Sequence, residues 1–158
     1  MIRYVLAALL TVAVLGLGWM ALDQTAPENT ERELQAAISD IEEAAIDLAE
    51  HEEVSPPEHP DPQRVVEFTI PPDDLTTEGV SHFEIDPVDE NASIARYVLD
   101  DGTRSEEVVD ERIVYYEPTE NRTTELGGRG TERLRLVLLA DDRGEPVVVA
   151  RPNESVTG

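Results

Sequence analysis

Between Val5 and Leu22 the chain runs 18 residues without a charge, VLAALLTVAVLGLGWMAL, and any fold it adopts must place them. As an α-helix the run is about 27 Å long, close to the roughly 30 Å hydrocarbon core of a bilayer. It is longer than the apolar core of an ordinary cleaved signal, about 7–15 residues. Tyr4 and Trp19 stand near its ends, where amphipathic rings favour membrane–water interfaces. Arg3 precedes the run, and Asp23, Glu28 and Glu31 follow it, so the positive-inside rule keeps the N-terminus in the cytoplasm and exports the rest. Cleavage after the small residues Gly16 and Gly18 would leave Trp19 as a new terminus inside the apolar run. The expectation is a retained single-pass anchor in the lipid bilayer over residues 5–22, with a signal peptide as the alternative.

The asparagines agree with export. Of four in the chain, three open N-x-S/T sequons, at Asn91, Asn121 and Asn153. All three fall in stretches that read as turns or tail, where a glycan has room.

After Pro27, Thr30 followed by Glu33 has the form of a capping box. Leu34, Ile38, Ile41, Ala45 and Leu48 then recur at spacings of four and three, a seam widened by Ala37 and Ala44. Asp40, Glu43, Asp47 and Glu50 form the opposite, solvated stripe. This amphipathic helix, residues 28–54, must lay its seam on something: the chain's own downstream sheet, a second copy of itself or a protein partner. The four prolines of Ser55–Gln63 end it and make a semi-rigid hinge or stalk.

From Arg64 the period becomes two. RVVEFTI turns Val66, Phe68 and Ile70 to one side, and VSHFEI does the same with Phe83 and Ile85. SIARYVL and SEEVVD flank Asp100-Asp101-Gly102-Thr103 as a hairpin, and ERLRLVLLA and PVVVAR flank Asp141–Glu145 as a second. The fold class expected is mainly β with α: a transmembrane helix, an amphipathic helix, then a small antiparallel β-sandwich or curled sheet. The parts are a cytoplasmic tip (1–4), the anchor (5–22), the amphipathic helix (28–54), the Pro-rich linker (55–63), an extracytoplasmic β domain (64–151) and a flexible tail (152–158).

Charge bears on what such a domain can meet. There are 35 acidic residues against 12 basic ones, all of them arginine, for a net charge of −23. No basic stripe exists to meet phosphates, which excludes a nucleic-acid binder. On Thr30–Val54 only Arg32 offsets the acids, a like-charge cost that nearly vanishes at a Debye length of about 3 Å, that of molar salt. This acid-rich, lysine-free composition, together with the element order, resembles small haloarchaeal envelope proteins anchored by an N-terminal helix. Some of these accompany pilus-like or secretion machinery, and the resemblance implies an accessory role of that kind. A pilin subunit is not implied, because the apolar run starts almost at once and contains no acid.

No residue constellation points to catalysis. His51, His59 and His82 share no ligand spacing, and the acidic loops Asp86–Glu90, Asp100–Asp101 and Asp141–Asp142 lack the alternating pattern of a calcium loop. The glycines around Arg129 lack the lysine of a phosphate loop. The function expected is an extracytoplasmic structural or interaction protein without enzymatic activity, cofactor or metal. Its protein partner or second copy would dock through Leu34, Ile38, Ile41, Ala45 and Leu48. The alternative is a cation- or small-ligand-binding module.

Overall fold

A computed structural model describes residues 2–127 and 129–152, the side chains of residues 2–9, 14 and 16–24 excepted. The described chain is one helix, α1 (Ile2–His51), followed by β1 (Gln63–Ile70), β2 (Val80–Pro87), β3 (Ser93–Leu99), β4 (Arg104–Val109), β5 (Ile113–Tyr115), β6 (Thr124–Glu125), β7 (Gly130–Ala140) and β8 (Pro146–Pro152). The strands make two four-stranded sheets, β1-β7-β8-β5 and β4-β3-β2-β6. Pairing is antiparallel except between β5 and β8. The expected sandwich is therefore present, with one parallel pair that the sequence pattern did not reveal.

The expected break before the amphipathic helix is absent. Helix α1 is continuous for 50 residues with Pro27 inside it, about 75 Å at the helical rise. Proline inside a helix removes one hydrogen bond and costs about 3 kcal/mol. Thr30 is correspondingly not an N-cap. Its hydroxyl donates to the Glu78 carbonyl and accepts from the Glu78 amide, both at 2.8 Å, and the side chain is fully buried. The threonine thus serves a tertiary contact, tying α1 to the loop between β1 and β2.

From Ala26 onward α1 belongs to the sandwich. Leu34, Ile38, Ile41, Ala45 and Leu48 are all at most 2% exposed and share one core with Val66 and Phe68 of β1, Leu134 and Leu136 of β7, and Phe83, Tyr97 and Val109 of the other sheet. The chain's own two sheets are therefore what the seam covers. A coiled coil through the same residues would require the helix to leave the core. Phe68, Phe83 and Tyr97 stack edge to face across the sandwich, with centroids 6.2 and 6.5 Å apart. The proline-rich segment is a tight reversal rather than a stalk: His59 N–H donates to the Pro56 carbonyl and Ser55 to the Pro60 carbonyl. Arg64 then locks β1 to the helix through Asp47 and Glu52, at 2.8 and 2.9 Å.

The N-terminal part of α1 extends past the sandwich. Leu10, Val12 and Leu15 are about 70% exposed. Among the described residues no helix is long and apolar enough to cross a membrane. Most of the run expected to do so, residues 5–22, lies outside the described side chains.

Candidate functional site

The helix direction gives the sandwich two poles. At the proximal pole, where α1 emerges, Asn29 and Thr30 bond the loop between β1 and β2, and the Asp100 amide donates to the Gly79 carbonyl at 2.8 Å. A Cβ at 79 would meet Asp100 Oδ2 at 2.1 Å, so a larger residue there would push the Asp100 carboxylate aside. Asp74 caps this loop by accepting from the amides of Thr76 and Thr77, and those bonds hold its carboxyl below the usual range. Burial, then the charges of Asp101, Asp73 and Asp100, push Glu78 above it. This acidic pole is closed by backbone bonds.

The distal pole is open. There the loops 88–92, 116–123 and 141–145 surround a cleft of about 400 Å³, lined by Asp89, Glu90, Arg112, Asn121, Asp141 and Arg143 among others. Two of the three acidic loops noted in the sequence meet here, whereas Asp100 and Asp101 lie at the other pole. The cleft is mixed in charge: Arg143 approaches Glu90 at 3.7 Å and Arg112 donates to Asn121 Oδ1 at 2.6 Å. Asp141 spends one oxygen on the amides of Arg143 and Glu145, which lowers its pKa. Among the described residues no three His, Asp or Glu side chains are grouped to hold a metal. The three histidines stay apart: His51 pairs with Asp47, His82 with Glu84, and His59 lies exposed in the proline turn.

Two of the sequons, Asn91 and Asn121, sit exposed at this distal pole; Asn153 lies outside the described residues. They stand at the opposite end of the sandwich from the projecting half of α1.

One group of residues went unnoticed in the sequence. On the outer face of the β1-β7-β8-β5 sheet, Arg135 is directly opposite Arg151, and Arg133 lies two residues along from Arg135. Arg133 reaches Glu67 at 2.7 Å. Arg135 and Arg151 have no ion-pair partner among the described residues, and the Arg151 Nε is buried without a hydrogen bond. The Arg151 guanidinium lies 5.4 Å over the Tyr116 ring. Tyr116 has φ +64°, and the Glu117 amide bonds the Tyr115 carbonyl across it at 2.7 Å. That is a γ-turn in its rare, strained form, and it holds a tyrosine 53% exposed. Hairpin register was the signal available: strand positions equidistant from the Asp141–Glu145 turn face each other.

The chain belongs to the family described as Domain of unknown function (DUF7311), whose model matches residues 1–153. No curated protein and no solved structure matches it.

Proposed function

We propose that this is a membrane-anchored, extracytoplasmic structural or interaction protein of a halophilic archaeal envelope, accessory to a surface pilus or secretion assembly. The observation that carries the reading is the division of α1. Its second half is core, whereas Leu10, Val12 and Leu15 stand exposed on the part that extends beyond the sandwich. A charge-free helical run of this length is expensive in water and stable in hydrocarbon. With Arg3 on the cytoplasmic side the sandwich is outside, its proximal pole toward the bilayer. Asn91 and Asn121 then face away from the membrane, where glycans meet no obstacle. The lysine-free, acid-rich surface suits concentrated salt, in which like charges are screened to contact range.

A second reading, a small-ligand module, would use the distal cleft with Arg112, Asn121 and Arg143 as its polar contacts.

The test is expression in a haloarchaeal host, membrane fractionation, and intact mass with N-terminal sequencing. A membrane-bound chain beginning at Met1 or Ile2 and carrying glycan mass on Asn91 and Asn121 is the expected result. A soluble extracellular chain beginning near Trp19 would overturn the anchor and favour the ligand module.

A further inference from the structure

We infer that the outer flank of the β1-β7-β8-β5 sheet is the interface of a two-fold dimer, in which the acidic stripe of α1 on each copy meets the arginines of β7 and β8 on the other. The inference stands on the sandwich alone and does not depend on the anchor.

Strand register lays the flank out. Beside β1, the helix presents Asp40, Glu43 and Asp47 along one groove with Val65 and Glu67. On the other side of β1, Arg133 is opposite Glu67 and Arg135 is opposite Val65, with Arg151 one strand further. Acids therefore lie to one side of Val65 and arginines to the other, at the same height along the strands. Asp40, Glu43 and Arg135 are exposed. Val65, on the line between the two charge zones, is a valine 60% exposed.

A surface so divided is complementary to itself. A two-fold axis parallel to α1 and passing near Val65 keeps every residue at its height and exchanges left for right. Glu43 of one copy then faces Arg135 and Arg151 of the other, Asp40 faces Arg133, and the two Val65 side chains meet at the axis. Contacts are reciprocal, as a closed isologous dimer requires. The same axis leaves both α1 helices pointing the same way, so two copies anchored in one membrane satisfy it.

Two features of the flank otherwise lack a reason. In a chain with nearly three acids per arginine, two arginines face each other without a carboxylate among the described residues, a cross-strand arrangement that is normally destabilising. The strained Tyr116 is held outward beside them. Exposed tyrosine and arginine around an apolar centre is the composition of an interface hot spot. The net charge of −23 repels a second copy at low salt, but at a Debye length of about 3 Å only contact pairs act, and these are opposite in sign.

The chain contains no cysteine, so a single introduced thiol reports its own neighbours. In the full chain at molar salt, in detergent where membrane extraction needs it, Val65→Cys is expected to form a disulfide-linked dimer under mild oxidation. Val108→Cys, equally exposed on β4, controls for chance encounters and is expected to stay monomeric. In the Val65→Cys background, Arg135→Glu and Glu43→Arg should each cut the yield at least about tenfold, since like charges are forced together. Both changes in one chain should restore it, which also rules out misfolding as the cause of the losses. Cross-linking at Val65 no better than at Val108, indifference to either charge reversal, or failure of the double change to restore the dimer would each overturn the interface.

Discussion

The outer faces of the two sheets use arginine in opposite ways. On the β4-β3-β2-β6 face, Arg96 sits at the centre of Asp86, Glu106 and Glu84, at 3.0, 3.1 and 3.6 Å. Asp86 first, and then Glu106, offset its partial burial and raise its pKa. On the other face Arg135 and Arg151 oppose each other with no carboxylate at either among the described residues. Both arrangements follow from register alone, since residues opposite each other share a face. The difference shows that an acidic chain does not neutralise its cations uniformly. One face is complete within the molecule, and the other is complete only with something added.

Removing what the faces share is the severest test of the comparison. Phe83→Ala empties the edge-to-face contacts with Phe68 and Tyr97 and is expected to cost about 3–5 kcal/mol. Because helix and both sheets contribute to one core, denaturant titration followed by near-ultraviolet and far-ultraviolet dichroism should give a single transition. Two separated transitions would mean that the faces belong to independent units.

The next effect is opposite in sign. Tyr116→Gly relieves left-handed backbone strain and should stabilise the isolated fold by about 1 kcal/mol, while weakening cross-linking at Val65. Stability that falls on this change would place Tyr116 in the packing of the fold. Smaller still is the contrast between the arginines themselves. Arg96→Ala leaves three carboxylates facing one another and should lower the thermal midpoint. Arg135→Ala ends a like-charge pair and should leave the midpoint equal or raise it, by a few tenths of a kcal/mol at roughly the size of cross-strand charge effects. Equal losses at both positions would erase the distinction between the faces.

The smallest expected effect is a shape in the pH dependence. Glu78 and Glu111 titrate above the ordinary glutamate value of 4.5, chiefly through burial. Their ionised forms are disfavoured in the folded state, so stability should rise as pH falls from neutrality through their folded-state values. Asp74 and Asp141 titrate below the ordinary aspartate value of 3.8, held down chiefly by backbone hydrogen bonds. What they contribute is present above 3.8 and is lost as pH falls below it through their folded values. Thermal midpoints at constant molar salt should pass through a maximum on the acid side of neutrality. A monotonic decline from pH 7 downward would show that the two glutamates are not strained by burial.

The strands that alternate cleanly were legible from sequence, because a period of two over seven or eight residues and a turn with Gly102 or Gly144 leave little choice. Both hairpins formed as expected, around Asp100–Thr103 and Asp141–Glu145. What was not legible depends on contacts distant in sequence. Thr30 looks like a cap because its local neighbours fit a capping box, yet its partner is Glu78, 48 residues away. Pro27 reads as a boundary, and the helix passes through it. Strand β6 is two residues long and is specified by what it pairs with. For the candidate sites, each half of the arginine ridge was visible in ERLRL and PVVVAR, but only their pairing makes it a ridge.

The passage of α1 into the sandwich also has a mechanical side. The helix runs alongside β1, so tension applied to its N-terminus loads Leu34, Ile38, Ile41, Ala45 and Leu48 together, in shear, and does not peel them off in turn. Among the described side chains burial begins at Ala26, and the neighbouring Pro27 lacks an amide to donate. Bending stiffness is therefore lowest right at the collar of the sandwich. The device is a mast with a flexible step: strong against a pull along its length, and able to lean at a point ahead of the seam from Leu34 to Leu48.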